Sequence, residues 1–158
     1  MWNTRTMRVY LPALSSHLLA DDIAERPGFA VVAPAGTDRE GIEVLEDDAQ
    51  TEAALVSLVD LREASGEAPI RLVLAVDAPD RPLTGAGVVE TGPIDATWAD
   101  VAAILADSPE AADDVRAVLD ADEQDEADEA VARLWERSLE WFDVSERLAL
   151  AEDLGLRD

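Results

Sequence analysis

Apolar and polar positions alternate over Arg8-Val9-Tyr10-Leu11, a period of two that predicts a short strand closed by Pro12. The period then lengthens: Leu14, Leu18, Leu19 and Ile23 fall on one side of a helix expected from Ser15 or Ser16 to Arg26, with Pro27-Gly28 as its stop. Phe29 to Ala33 reads as a compact strand, and Pro34 to Gly41 as a loop. Helical spacing resumes from about Ile42 to Ala64, with Leu45, Ala49, Leu55, Val56 and Val59 as the buried stripe, a break near Asp47 and Gly66 as the terminator.

Ile70 to Val76 is almost continuously apolar, broken only by Arg71. Such continuity belongs to a strand covered on both faces, so this is the predicted central strand. Asp77-Ala78-Pro79-Asp80 is expected as a loop and Gly85 to Thr91 as an edge strand closed by Gly92-Pro93. Thr97 and Asp100 form a capping pair for a short helix around Trp98, ahead of a brief buried strand at Ile104-Leu105-Ala106. Ser108-Pro109-Glu110 is a helix start, followed by an inward stripe of Ala111, Ala112, Val115, Val118 and Leu119. Asp120 to Glu129 looks too polar to anchor itself and is expected as a mobile connection. Val131, Leu134, Trp135, Leu139 and Phe142 then recur at helical intervals, and a weaker pattern continues to Gly155.

This alternation predicts an α/β or α+β class: a single layer of short mixed β-sheet with packed helices, an acidic helix and a helical C-terminus. The 158 residues suit one domain, expected over 7–158, with Met1 to Thr6 as an extension ahead of it.

Composition narrows the chemistry. Residues 107–130 carry eleven acids and one base, Arg116, a net charge of −10 within a total of −24. Phosphate polyanions and anionic membranes are therefore disfavoured as direct partners, and a basic protein is the expected one. All twelve cations are arginine, and the lack of lysine rules out a Walker phosphate loop. The absence of cysteine removes disulfides, thiolate nucleophiles and cysteine zinc sites. No apolar run approaches the ~20 residues that span a bilayer, and a soluble cytoplasmic protein is expected.

His17 is the single histidine, so it is the only imidazole base open to a hydroxyl nucleophile; its place on the predicted helix makes it a surface residue. Asp120-Ala121-Asp122-Glu123-Gln124-Asp125 fails as a calcium loop, because Asp125 stands where glycine is required and Val131 where the closing carboxylate should be. Gly85-Ala86-Gly87 fails as a dinucleotide fingerprint for want of a third glycine at Glu90. Asp77, Asp80 and Asp107 are the candidate catalytic carboxylates, since Asp77 and Asp107 each follow an apolar strand, where ligand sites of α/β sheets gather. Brought together, they could hold Mg²⁺ or share acid/base work. Trp98, Trp135, Trp141 and Phe142 are read chiefly as packing residues; Trp141 is set apart because Leu139 and Phe142 already define the stripe.

The segments Met7-Arg8-Val9-Tyr10-Leu11-Pro12, Phe29-Ala30-Val31, Gly92-Pro93-Ile94, Trp98-Ala99-Asp100-Val101-Ala102-Ala103 and Leu139-Glu140-Trp141-Phe142, with Glu146 behind them, carry a resemblance to a family of small acidic actinobacterial proteins of unknown function. The likeness implies this order of elements and a domain beginning at Met7, and it brings no activity, cofactor or catalytic residue. Phe142 stands where the resemblance would place tyrosine.

Two functions are therefore expected. The first is a non-enzymatic interaction protein that needs no cofactor or metal, meeting a basic partner through Glu110, Asp113, Asp114, Asp120 and Trp141. The alternative is a small ligand-binding domain or Mg²⁺-dependent enzyme built on Asp77, Asp80 and Asp107.

Overall fold

A computed structural model describes residues 5–156. The chain folds as α+β, with one six-stranded sheet in the order β4-β2-β1-β3-β5-β6 and every neighbouring pair antiparallel. The strands are β1 (Thr6–Ala13), β2 (Arg26–Val32), β3 (Leu72–Pro79), β4 (Gly87–Ile94), β5 (Val101–Ala106) and β6 (Glu140–Phe142). Four α-helices complete the described residues: α1 (Arg39–Glu63), α2 (Ala112–Asp120), α3 (Gln124–Trp135) and α4 (Arg147–Asp153). The expected mixed sheet is thus wholly antiparallel. Thr6 already belongs to β1, and Met1 to Thr4, the rest of the expected extension, lie outside the described residues.

Alternation sorts β3 onto two covered faces. Leu72, Leu74 and Val76 join Val9, Leu11 and Ile104 under Leu18, Ile94, Leu150 and Ala151. Val73 and Ala75 point the other way with Tyr10, Ala103 and Leu105, against Ala49, Ala53 and Ala54 of α1. Beyond the sheet, Leu58 and Leu61 of α1 pack on Val115 and Val118 of α2 and on Ala130 and Leu134 of α3. Each such large side chain contributes roughly 1.5–3 kcal/mol by leaving water.

Several expected boundaries moved for identifiable reasons. The helix expected from Ser15 to Arg26 is a 3₁₀ turn over Ser15–Leu19, followed by an irregular stretch. A continuing helix needs the carbonyls of Leu18 and Ala20 for itself. Here Arg147 Nη1 donates to the first at 2.6 Å, and Trp98 Nε1 to the second at 2.9 Å. Pro27 and Gly28 lie inside β2. A Cβ at Gly28 would come within 2.8 Å of the Tyr10 carbonyl, so only glycine lets β2 approach β1 there. Pro12 continues β1 because β1 and β2 share a single register pair, Tyr10 with Phe29; beyond it the Pro12 carbonyl accepts from Arg26 Nη1 at 3.0 Å.

Helix α1 starts at Arg39, capped by the Asp38 carboxylate on Gly41 N–H at 2.8 Å, and runs without a break past Asp47. Its buried stripe is Ala49, Ala53, Ala54, Ser57, Leu58 and Leu61, while Leu55 and Val59 are exposed. Alanines let the helix axis approach the sheet, and that closeness fixed the rotation that large apolar side chains alone did not. The connection expected over Asp120 to Glu129 shrinks to Ala121–Glu123, because residues 124–129 open α3. Ala127, Ala130, Val131 and Leu134 extend one helical face, and Asp125 and Glu126 favour the positive end of the helix dipole. Leu139 to Phe142 leave the helical pattern to pair with β5, Phe142 opposite Ile104 and Trp141 opposite Leu105.

Candidate functional site

The three candidate carboxylates do not converge. Strands β3 and β5 are antiparallel, so Asp77, near the end of β3, and Asp107, just after β5, lie at opposite ends of the sheet. About six residues of strand, roughly 20 Å, separate Asp77 from Arg71, the partner of Asp107. Asp77 lies within β3, where Arg8 stands directly opposite and donates from Nε at 3.0 Å. Asp80 is exposed beyond the strand end and lines a cleft of about 460 Å³ with Arg8, Tyr10, Glu46 and Arg81. Burial raises the Tyr10 phenol in that wall above its ordinary value, opposed by a hydrogen bond with Gln50. Among the described residues no cluster of three histidine or acidic side chains could hold a metal ion. The strand-end rule that nominated these acids holds for parallel sheets, where the carboxyl ends lie together; antiparallel pairing separates them.

Asp107 is buried against Arg71. Its Oδ1 accepts from Arg71 Nη2 at 2.7 Å, and Oδ2 accepts from Arg71 Nε at 2.9 Å and from the Arg71 backbone N–H at 2.8 Å. This bidentate pair neutralises the one charge that interrupts the central strand's sequence. Arg71 and Asp107 point to the α1 side of the sheet, in phase with Val73 and Leu105. Arg71 lines the floor of a second cleft of about 340 Å³, walled by Asp47, Gln50 and Thr51 of α1, by Trp135 and Arg137, and by Trp141 on the edge strand β6.

The cleft is lined on one side by α1 and on the other by the end of α3 at Trp135, by Arg137 to Leu139 in the connection that follows, and by β6. Arg71 lies over the Trp135 ring, 5.5 Å from its centroid. Arg137 reaches to Asp114 through Nε, and that hydrogen bond raises the guanidinium further. Trp135 is 40% exposed and Trp141 59%. Trp141 is thus the exposed tryptophan that the Leu139/Phe142 stripe anticipated, but Trp135 is not the packing residue expected. Trp98 is: its ring stacks under Arg147 at 4.3 Å and its indole N–H is satisfied.

The acidic segment forms two packed helices beside this cleft. Of its eleven acids, Asp107 pairs with Arg71, Asp113 with Arg116 and Asp114 with Arg137. The other eight, Glu110, Asp120, Asp122, Glu123, Asp125, Glu126, Asp128 and Glu129, are exposed and make no salt bridge among the described residues. Of the expected interaction residues, Asp113 and Asp114 are therefore ion-paired, Glu110 and Asp120 are not, and Trp141 belongs to the cleft.

His17, expected at the surface, is half-buried, and its Nδ1 accepts the Leu14 N–H at 2.9 Å, with Arg26 Nη1 3.1 Å from the same nitrogen. Burial, and then the Arg26 charge, lower its pKa below the ordinary histidine value.

Residues 7–150 match the model of a family of unknown function, DUF6912. The chain belongs to that family. The match to DUF6912 takes in every strand from β1 to β6, both acidic helices and most of α4, so the cleft and the acidic surface lie wholly within the family's domain. No curated protein and no solved structure matches the chain. No helix among the described residues is long and apolar enough to cross a membrane.

The sequence reading missed Arg71, Trp135, Gln50 and Arg137 as a group. One signal was present: a lone arginine in a doubly covered strand requires a buried acid opposite it, and Asp107 was the acid available at the matching strand end.

Proposed function

We propose that this protein is a non-enzymatic interaction module that meets a basic partner protein on the surface of α2 and α3. The observation that supports this reading is the set of eight exposed acids without ion-pair partners among the described residues: five lie on α2 and α3, whose apolar faces are packed, and Glu110, Asp122 and Glu123 lie in the turns that flank α2. A solvated tail would scatter its charge, whereas packed helices hold it in a fixed arrangement that a basic surface can match. The same density repels polyanions and steers cationic surfaces, so association should be fast at low salt and should weaken as salt rises. A cytoplasmic setting accompanies the proposal, since a chain without cysteine needs no oxidising compartment.

The test is capture of basic proteins at low salt by the intact chain and by a variant with Asp120, Asp122, Asp125 and Glu129 changed to the corresponding amides. Loss of capture in the variant, with unchanged melting behaviour, supports the reading. Equal capture by both proteins, or capture insensitive to salt, refutes it.

A further inference from the structure

We infer that the cleft over Arg71 binds an uncharged planar group carrying a carbonyl oxygen, with Arg71 Nη1 as the donor and Trp135 and Trp141 as the ring-contacting walls. A guanidinium offers five N–H donors. In Arg71, Nε is taken by Asp107, and Nη2 by Asp107 and by the Arg137 carbonyl at 3.0 Å. Nη1 donates to no acceptor among the described residues, although the side chain is only 5% exposed. No buried side-chain nitrogen or oxygen among those residues lacks a partner, so Nη1 retains access to solvent. The space that Arg71 lines is the cleft, so its two free N–H groups point there.

The charge of the ligand follows from what surrounds that donor. Asp107 already neutralises Arg71, and Asp114 neutralises Arg137, so the cleft has hydrogen-bond donors without a matching excess of positive charge. An anion would have to enter through the field of a chain carrying −24, with the Asp47 carboxylate in the wall. A cation has no acceptor to offer Nη1. A neutral carbonyl or amide oxygen meets the donor and is indifferent to the field. The walls supply the remainder: two partly exposed indoles favour a flat ring, and about 340 Å³ is the low end of small-molecule sites, suited to one or two rings. Gln50 and Ser138 in the same wall can pair the ligand's other polar edge. The site is separate from the acid pattern on α2 and α3 and stands whether or not a basic partner docks there.

Benzamide, benzoate and benzamidinium share a ring and differ in charge, so they form the test. Titrated into the intact chain and followed by the indole N–H resonances, benzamide should move the Trp135 and Trp141 signals with a dissociation constant on the order of 1 mM, leaving Trp98 still. It should also shift the Arg71 Nη1 protons, and salt should not alter its affinity. Benzoate and benzamidinium should each bind at least about tenfold more weakly. Trp141→Ala, at a largely exposed side chain, should fold normally and weaken benzamide by about tenfold. The paired replacement Arg71→Met with Asp107→Leu should abolish the response. Preference for benzoate or benzamidinium, an unaltered response in Trp141→Ala, indole shifts without an Arg71 Nη1 shift, or no shift with any of the three would overturn the inference, the last marking a solvated cleft only.

Discussion

Strand β3 has an arginine–aspartate pair at each end, with the same chemistry in two environments. At one end Arg8 and Asp77 stand directly opposite each other on β1 and β3, 3.0 Å apart, with side chains 38% and 44% exposed. At the other end Arg71 and Asp107 meet at 2.7 Å with side chains 5% and 0% exposed. Water screens the first pair and lets either partner resolvate when the other is lost. The second has no such refuge, because the charges are interdependent once buried. Both arginines line a cleft, but only Arg71 holds its free donor on a buried side chain, so burial rather than pairing is what sets the second pair apart.

The largest effect should come from breaking the buried pair. Asp107→Ala strands Arg71 without its counter-charge and should cost about 3–5 kcal/mol in urea denaturation, whereas Arg71→Met with Asp107→Leu should be close to neutral. If the single and double variants are equally unstable, the cost is packing and not charge.

Next in size is Ser57→Ala at the same end of the sheet. The Ser57 hydroxyl donates to the Ala13 carbonyl at 2.8 Å and accepts the Leu72 N–H at 3.1 Å, tying α1 to two strand ends. Its loss leaves two buried backbone groups unpaired and should cost about 1–3 kcal/mol by the same measurement.

Arg26 offers a third environment, an arginine held by the carbonyls of Pro12 and Ala24 and by the His17 ring instead of by a carboxylate. His17 has a pKa below its unfolded value, so between the two values the unfolded chain holds more protons than the folded one. Stability should therefore fall as pH drops below about 6.5, the unfolded value, and His17 should contribute no pH dependence above it. His17→Asn, which keeps an acceptor for the Leu14 N–H, should remove this component; the difference in melting temperature between variant and parent, followed from pH 7.5 to 5, measures it. A constant difference across that range would show that the ring does not titrate differently on folding.

The smallest change should follow Arg8→Ala or Asp77→Ala, about 0.2–1 kcal/mol, diminishing with added salt. A cost above about 2 kcal/mol there would erase the contrast between the two ends.

Much of the strand layout was legible because a period of two needs no knowledge of the fold. Ile70 to Val76 identified the doubly covered strand, and Gly85 to Thr91 an edge strand, although β4 runs on to Ile94. Helices were less legible where small residues set the contact. The buried face of α1 is alanine-rich, and a pattern weighted by Leu and Val rotated it towards Leu55 and Val59. The carboxylate site failed for a topological reason: local sequence does not state whether two strand ends lie on the same side of a sheet.

By itself the sequence determined the two-sided burial of β3, the capping of the Trp98 turn by Asp100, the surplus of acid between Asp107 and Glu129 and the absence of thiol chemistry, because each depends on residues close in the chain or on composition. Only the tertiary structure decided that β3 and β5 run antiparallel, that Asp107 locks Arg71, and that the end of α3 and the edge strand β6 set Trp135 and Trp141 around the same cleft. The strand pairs and the ion pair join residues 25 to 36 positions apart, from Val76 with Val101 to Arg71 with Asp107, and such contacts depend on global packing, which no local period encodes.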